Sequence, residues 1–341
     1  LGITALAALL AGDVPQSLMA QRMFTGIDSF PLMAVPFFVL AGELMNRGGT
    51  TIRLIGFANV LVGRIRGGLA HSNIVASMFF GGISGSAVAD ASAIGTIMVP
   101  GMVQAGYDKG FSAALTAASS TVGPIIPPSI FMVIMGVTTG LSIGALFAAG
   151  IIPGLLIGFS MMGLSYYLAI RHDYPRVQEP FTLSYFWANF KAAGPALVAP
   201  LIILGGILGG IFTPTEAAAV AVLYALFLGT AVYRELDWPA LKSVFIDSAV
   251  TTAVLLLIIG MANIFSWVLT AEQIPTRIAH GLLALTTNPY LILLLINVFL
   301  IFVGMFLEGG AAIIILAPTL LSVAQSVGIQ PLHFGFVMVF N

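Results

Sequence analysis

Cysteine is absent from all 341 residues, and charge is scarce: Asp, Glu, Lys and Arg together make up 7%. The first absence removes disulfides, thiolate nucleophiles and cysteine-based metal sites. The second removes any water-facing surface, because a soluble domain carries about 25% charged residues. A formal net charge of −1 gives nucleic acid nothing to grip. No glycine-rich phosphate loop with its lysine occurs, so ATP hydrolysis by this chain is not expected. A signal peptide is missing as well. Leu1 opens inside an apolar run with neither an initiator Met nor a basic stretch, and the chain is expected to begin within a longer protein.

What is present is hydrophobic: 59% of the residues. Apolar runs of about 20 residues recur from end to end, each long enough at 1.5 Å per residue to cross ~30 Å of hydrocarbon. A β-barrel needs alternation, whereas Leu255–Gly260 and Leu291–Ile296 are apolar on every face. The expectation is an all-α polytopic membrane protein embedded in a lipid bilayer. Segments are expected near 1–20, 31–46, 68–105, 111–139, 143–170, 194–211, 214–233, 249–268, 289–325 and from 332 onward. The stretches 68–105 and 289–325 are too long for one span and too poor in charge for a loop. Each is read as two half-length helices folded back on themselves, a re-entrant hairpin.

Charge placement supports that reading, since cytoplasmic loops are enriched in Lys and Arg. With both hairpins re-entrant, Arg47, Arg53, Arg64, Arg66, Lys109, Arg171, Arg176, Lys191, Arg234 and Lys242 fall on one side, and Arg22 and Arg277 on the other. Counting the first hairpin as a crossing scrambles the split. The order of elements then implies an inverted repeat with an offset of about 220 residues. A span with Gly42, an amphipathic stretch Ile52–Ile65 and the first hairpin are followed by a span with Gly260, a stretch Ile274–Leu285 and the second hairpin. The long segment 111–139 is a discontinuous helix broken at Gly123-Pro124, where proline removes a backbone donor. Its repeat partner is expected beyond Asn341. The corresponding division is 1–67 scaffold, 68–139 first hairpin and broken helix of a transport domain, 140–288 scaffold and connecting helices, and 289–341 second hairpin.

Broken helices persist at membrane depth only where protein or water covers the freed backbone groups, so the breaks locate the chemistry. The first tip, Gly81-Gly82-Ile83-Ser84-Gly85-Ser86, and the break Ser119-Ser120-Thr121-Val122-Gly123-Pro124 would bring hydroxyls, carbonyls and half-helix ends to one depth. That is an oxygen-rich setting for a hard cation, with helix N-termini free to face a carboxylate. The second tip, Glu308-Gly309-Gly310, lacks serines and must rely on carbonyls or on Glu308. Asp90, one turn past the first tip, is a further candidate because a carboxylate inside the membrane is costly. Small residues are also ordinary helix-packing residues, and Gly205, Gly206, Gly209 and Gly210 are read that way. Thr213-Pro214-Thr215-Glu216 has the spacing of a helix-starting capping box. Trp187, Trp238 and Trp267 fall near expected span ends, where an aromatic belt belongs. Gly82-Ile83-Ser84-Gly85 matches the GxSG pattern of intramembrane serine proteases. That remote alternative needs a histidine base, and His71, His172, His280 and His333 all lie near expected span ends.

Several stretches resemble one known family: Pro36–Met45, Gly82–Ala87 and Ser119–Ser129, with Pro100-Gly101-Met102 and Gly106-Tyr107. Together they are similar to the large membrane (M, DctM-like) subunit of TRAP, tripartite ATP-independent periplasmic, transporters, over nearly the whole chain. The resemblance implies a sodium-coupled importer of a small carboxylate-bearing solute in the bacterial inner membrane, working by an elevator motion. Implied partners are a small membrane (Q) subunit and a periplasmic solute-binding protein, with Na+ as coupling ion and no other cofactor. It also implies one sodium site at Ser84, Ser86, Ser120 and Gly123, and another between Gly309-Gly310 and a partner helix. A single-component dicarboxylate/sodium symporter of related architecture is the alternative.

Overall fold

The computed structural model describes residues 17–176, 182–274 and 286–341, with isolated positions at 4, 15, 277 and 281. Most of the segment near 1–20, most of the stretch Ile274–Leu285 and His280 therefore lie outside the described residues. No strand occurs among the described residues. The helices are α1 (Ser17–Ile27), α2 (Ala34–Arg47, entered by a 3-10 turn Phe30–Met33), α3 (Thr50–Val62), α4 (Gly68–Ser84), α5 (Ala87–Gln104), α6 (Lys109–Ser120), α7 (Ile130–Thr139) and α8 (Ile143–Arg171). After them come α9 (Leu183–Leu208), α10 (Pro214–Phe227, prolonged by a π turn Leu228–Val232), α11 (Trp238–Ala271), α12 (Pro289–Gly304), α13 (Gly309–Ser326) and α14 (Pro331–Phe340). Six helices among the described residues are long and apolar enough to cross a membrane, or seven if the bent pair α1 and Phe30–Arg47 counts as one span.

The chain divides into two compact units: Pro36–Ile130 with Gly150–Ala249, and a smaller one of Leu1–Val35, Phe131–Ala149 and Val250–Asn341. In the larger unit α4 and α5 pack on each other, α6 packs on both, and α3 joins α4 to α9. Its core runs from Leu44 through Leu54, Phe80, Ile83 and Ile94 to Ala196 and Leu228. Without a hydrophobic drive between helices in lipid, such packing relies on close van der Waals fit. Phe57 of α3 accordingly meets Phe79, Phe186 and Phe190 at ring-centre distances of 6.1, 6.1 and 5.8 Å. In the smaller unit α13 packs between α12 and α14. Only Ile292, Ile296 and Leu300 of α12 are buried, a stripe of period four, and its other residues are exposed or partly so.

Three expectations are corrected. The arms of the hairpins are not half-length: α4, α5, α12 and α13 have 17, 18, 16 and 18 residues. Gly81 and Gly82 remain helical, so only two residues, Gly85 and Ser86, make the first turn. The span expected at 249–268 belongs to a 34-residue helix starting at Trp238, since Asp237 Oδ1 accepts the Ala240 N–H at 2.9 Å and nucleates the extra turns. Likewise α9 begins at Leu183 rather than 194, because Thr182 caps it by accepting the Tyr185 N–H at 3.1 Å. Of Gly205, Gly206, Gly209 and Gly210, Gly206 alone is buried and closely packed, since a Cβ there would run into the Phe212 ring, and the other three are exposed. A Cβ on Gly205 would meet nothing within 4 Å, Gly209 is the C-cap of α9, and Gly210 takes the left-handed conformation (φ 70°) that stops the helix. The capping box at the start of α10 is present as expected, with Thr213 and Glu216 satisfying each other's backbone N–H.

Ion pairs in the larger unit join Arg47 to Asp247 at 3.0 Å, Arg53 to Glu235 at 2.7 Å, and Arg66 to Asp173. Each acidic partner lies within a few residues of a cation that the charge count puts on the same side: Lys242, Arg234 and Arg171. Arg53 also lies 4.0 Å over the Tyr233 ring. Tyr107, on the α5–α6 connection, stacks on Tyr174 at 4.5 Å and donates to the Pro175 carbonyl at 3.2 Å. Burial there pushes its phenol up to about 12.

Candidate functional site

The first tip is set by one residue's backbone. Gly85 adopts φ 61°, returns its N–H to the Gly81 carbonyl and ends α4. Ser86 then caps α5, its Oγ accepting the Ala89 N–H at 3.4 Å, while its own N–H points to Ser84 Oγ at 3.4 Å. The Ile130 N–H reaches the Gly85 carbonyl at 3.4 Å, tying the tip to the far end of the broken helix.

That break spans Thr121–Ser129, between α6 and α7, and it fits the tip backbone against backbone. A Cβ on Gly81 would sit 2.7 Å from Gly123 Cα, and one on Gly85 would sit 2.6 Å from the Pro128 carbonyl oxygen. A side chain at either position would push the two elements apart. A Cβ on Gly123 would meet the Ser120 and Ser86 carbonyl oxygens at 3.2 and 3.4 Å, so carbonyls from two elements border one small space. Ser84, Ser119, Ser120, Val122, Gly123 and Pro124 are buried there, Ser86 is partly buried, and Thr121 faces outward with its hydroxyl on the Ala118 carbonyl. The structure thus brings the first-tip and break residues together, with Thr121 turned away.

Sequence reasoning missed the polar ladder beneath. Asn73 Nδ2 donates to Thr116 Oγ1 at 2.7 Å, Ser119 Oγ contacts Asn73 Oδ1 at 3.4 Å, and Ser77 and Ser119 hydroxyls lie 3.1 Å apart. Ser120 Oγ donates to the Thr116 carbonyl at 2.8 Å. All five side chains are buried. The signal was available: Asn73 and Ser77 stand four apart on α4, hence on one face, as do Thr116 and Ser120 on α6.

The second tip is plainer. Glu308 is exposed and caps α13, its Oε2 accepting the Ala311 N–H at 3.1 Å. A Cβ on Gly309 would meet the Phe131 ring at 2.8 Å, and one on Gly310 the Ile134 side chain at 3.4 Å. The opening turn of α7 thus lies against this tip, a neighbour the sequence did not suggest. Of the twelve buried residues of α13 only Thr319 is polar.

Each unit also holds a cavity. One of about 460 Å³ in the larger unit is bordered by Glu43, Asn46, Arg47, Ser92, Thr96 and Asp247, and one of about 310 Å³ in the smaller unit by Thr25, Thr138, Asn263, Ser266, Ile314 and Pro318. Glu43 and Asn46 map onto Asn263 and Ser266 at an offset of 220, and Ser92 and Thr96 onto Ile314 and Pro318 at 222. Residues at the expected repeat offset thus border a cavity in each unit, one with charged residues and one without.

His71 is no base for Ser84. His71 lies thirteen residues before Ser84 on the same helix, roughly 20 Å away. Its Nε2 lies 3.2 Å from the Arg66 carbonyl. Among the described residues no three His, Asp or Glu side chains gather as a metal site, and the oxygens at the tip are the hydroxyls and carbonyls that suit an alkali cation.

Apolar spanning helices, helical hairpins and a broken helix holding buried polar groups define a multi-pass membrane transport protein. The pattern described as "Tripartite ATP-independent periplasmic transporter, DctM component" matches residues 1–341. The chain belongs to that family: it is a large permease component of a TRAP transporter, an inner-membrane protein and not an enzyme. It is 46% identical over 333 residues to the sialic acid TRAP transporter large permease protein SiaM of Vibrio cholerae, covering 98% of this chain and 78% of that protein. It is 41% identical over 333 residues to the C4-dicarboxylate large permease protein DctM of Pseudomonas aeruginosa, with the same coverage of 98% and 78%. Against the isethionate TRAP transporter permease protein DctMQ of Oleidesulfovibrio alaskensis it is 45% identical over 342 residues, spanning 54% of that longer protein. The crystal structure of the YdaH transporter of Alcanivorax borkumensis has a similar fold, with a TM-score of 0.62 at 17% identity, covering 93% of this chain and 74% of that one.

Proposed function

We propose that this permease imports a small organic acid driven by a sodium gradient, taking the solute from a periplasmic binding protein and working beside a small membrane subunit. The observation that carries the reading is the packing of the first tip on the helix break. Carbonyls of Ser86 and Ser120 border the space at Gly123, and the hydroxyls of Ser84, Ser86 and Ser120 stand on the same two elements, an oxygen set suited to Na+. Helix N-termini at Ser86 and Glu308 supply partial positive charge for an acid group. Relatives named for sialic acid, a C4-dicarboxylate and isethionate all handle acids, and isethionate is a sulfonate. The substrate class is therefore an organic anion, of which a carboxylate is the commonest form. A second cation sits at Gly309-Gly310. The ion pairs, which join cations to acids that the charge count puts on one side, agree with a first hairpin that returns to its face of entry, and transport proceeds by an elevator displacement of the hairpin-bearing parts.

The test is uptake into proteoliposomes holding the complete permease, with and without binding protein, under an inward sodium or choline gradient. Accumulation is expected only with sodium and binding protein together. Sodium-independent uptake would overturn the coupling, and uptake without binding protein would favour a single-component symporter.

A further inference from the structure

Both ends of the first hairpin meet one short stretch of chain. Gly67, just before α4, takes φ 76°, and a Cβ there would sit 2.6 Å from Ala169 Cβ near the end of α8. Arg66 beside it pairs with Asp173. At the other end, just past α5, Tyr107 stacks on Tyr174 at 4.5 Å and donates to the Pro175 carbonyl at 3.2 Å, while Phe111 closes on Tyr174 at 5.1 Å. The positions so gathered, 64–66, 107–109 and 171–176, carry five cations, Arg64, Arg66, Lys109, Arg171 and Arg176, against two acids, Asp108 and Asp173. Both acids are committed. Asp173 holds Arg66, and Asp108 Oδ1 accepts the Phe111 N–H at 2.8 Å. Arg64, Lys109, Arg171 and Arg176 are exposed, and no ion pair among the described residues reaches them.

The face of α8 that leads to Arg171 suits an acyl chain. Leu156, Ser160, Gly163, Tyr167 and Arg171 follow one another at spacings of three and four, so they share one face, and all five are exposed. Ser160 returns its hydroxyl to the Leu156 carbonyl at 2.7 Å, which hides the polar group in the middle of that face. A Cβ on Gly163 would meet nothing within 4 Å, so the glycine leaves a notch beside Tyr167. From Leu156 to Arg171 the helix rises roughly 22 Å, about the thickness of one leaflet with its headgroups. A free anion in water could use the cations but would have no use for the face beneath them.

We propose that an anionic phospholipid binds at this end of α8, one chain along the Leu156–Tyr167 face and the phosphate held by Arg171 and Arg64, with Lys109 adding charge. A bilayer supplies such a lipid as the counter-ion for unmatched cations at its surface. A zwitterionic lipid offers the same chain and phosphate but carries its own cation, so it compensates less. The bound headgroup would join the end of α8 to both ends of the first hairpin. The site lies roughly 24 Å along α4 from the first tip, the rise from Gly68 to Ser84, and is separate from the places proposed for ion and solute.

The experiment follows the unfolding temperature of the complete permease with its small membrane subunit in a neutral detergent, titrated with short-chain phosphatidylglycerol, short-chain phosphatidylcholine or inorganic phosphate. Stabilisation is expected from phosphatidylglycerol at a lower concentration than from phosphatidylcholine, and none from phosphate. Equal action of the two lipids would overturn the headgroup assignment, and equal action of phosphate would overturn the lipid in favour of a free anion. Arg171→Gln and Arg64→Gln, both at exposed positions, are each expected to raise the half-saturating phosphatidylglycerol concentration by about fivefold, the equivalent of about 1 kcal/mol per cation. Lys242→Gln removes an exposed cation that the charge count puts on the same side but outside the three segments, and the value is expected to stay within about twofold. A rise for Lys242→Gln equal to that of the arginine variants, or no rise beyond about twofold in either arginine variant, would overturn the site.

Discussion

The two hairpins share a plan and differ in what they bury. In the first, α4 carries the buried face: fourteen of its residues are covered, among them His71, Ser72, Asn73, Ser77 and Ser84. In the second, the later arm α13 is the covered one, and its interior is almost wholly aliphatic. The buried arm comes first in one hairpin and last in the other. A polar interior can be built only where each group finds a partner, and the ladder from Asn73 to Ser120 provides that at the first tip. The second tip offers the cap of Glu308 and backbone groups of Gly309 and Gly310. Side-chain oxygen defines one tip and backbone the other.

The sharpest way to break this comparison is to separate the first tip from the break. Gly81→Ala and Gly85→Ala each place a methyl against backbone that cannot rotate away, at 2.7 and 2.6 Å. Each is expected to cost about 1–3 kcal/mol, read as a lower unfolding temperature, and to abolish sodium-dependent uptake. Gly309→Ala is the counterpart: its methyl meets the edge of the Phe131 ring, a side chain that can turn, so a smaller loss is expected. Equal losses at both tips would refute the contrast between rigid and adaptable contacts.

Ser84→Ala and Ser120→Ala come next. Both are expected to cut sodium-dependent uptake roughly tenfold, and Ser120→Ala also forfeits about 1 kcal/mol with its bond to Thr116. Unchanged uptake and unchanged sodium dependence in both variants would remove the first tip from ion binding. Thr213→Ala is a control far from either tip in the chain. Loss of the capping box should lower stability by about 1 kcal/mol while the half-saturating sodium concentration stays put. The smallest effect belongs to Glu308→Gln, whose amide oxygen can still accept the Ala311 N–H. Stability is expected to change by less than about 1 kcal/mol, and uptake by less than twofold if the second tip binds through backbone. A large loss of uptake would make the Glu308 charge a working part of that tip.

Sequence by itself determined the class of protein. Scarce charge and repeated apolar runs require a bilayer, and Gly-Pro breaks inside such runs require covered, polar interiors. The elements near 68–105, 111–139 and 289–325 were legible because hydropathy and proline act locally. Where a helix began was less legible: α9 and α11 start about ten residues early because Thr182 and Asp237 cap polar stretches that hydropathy alone reads as loop. The glycine cluster near Gly205 was legible only in part, because spacing shows that glycines share a face but not that Gly206 meets the Phe212 ring while Gly205 meets nothing within 4 Å. Only the tertiary structure decided that Gly81 meets Gly123, that Phe131 closes on the second tip, and that Asp90 lies fully buried. Those facts depend on how elements distant in sequence are packed together. A carboxylate's burial is a property of everything around it.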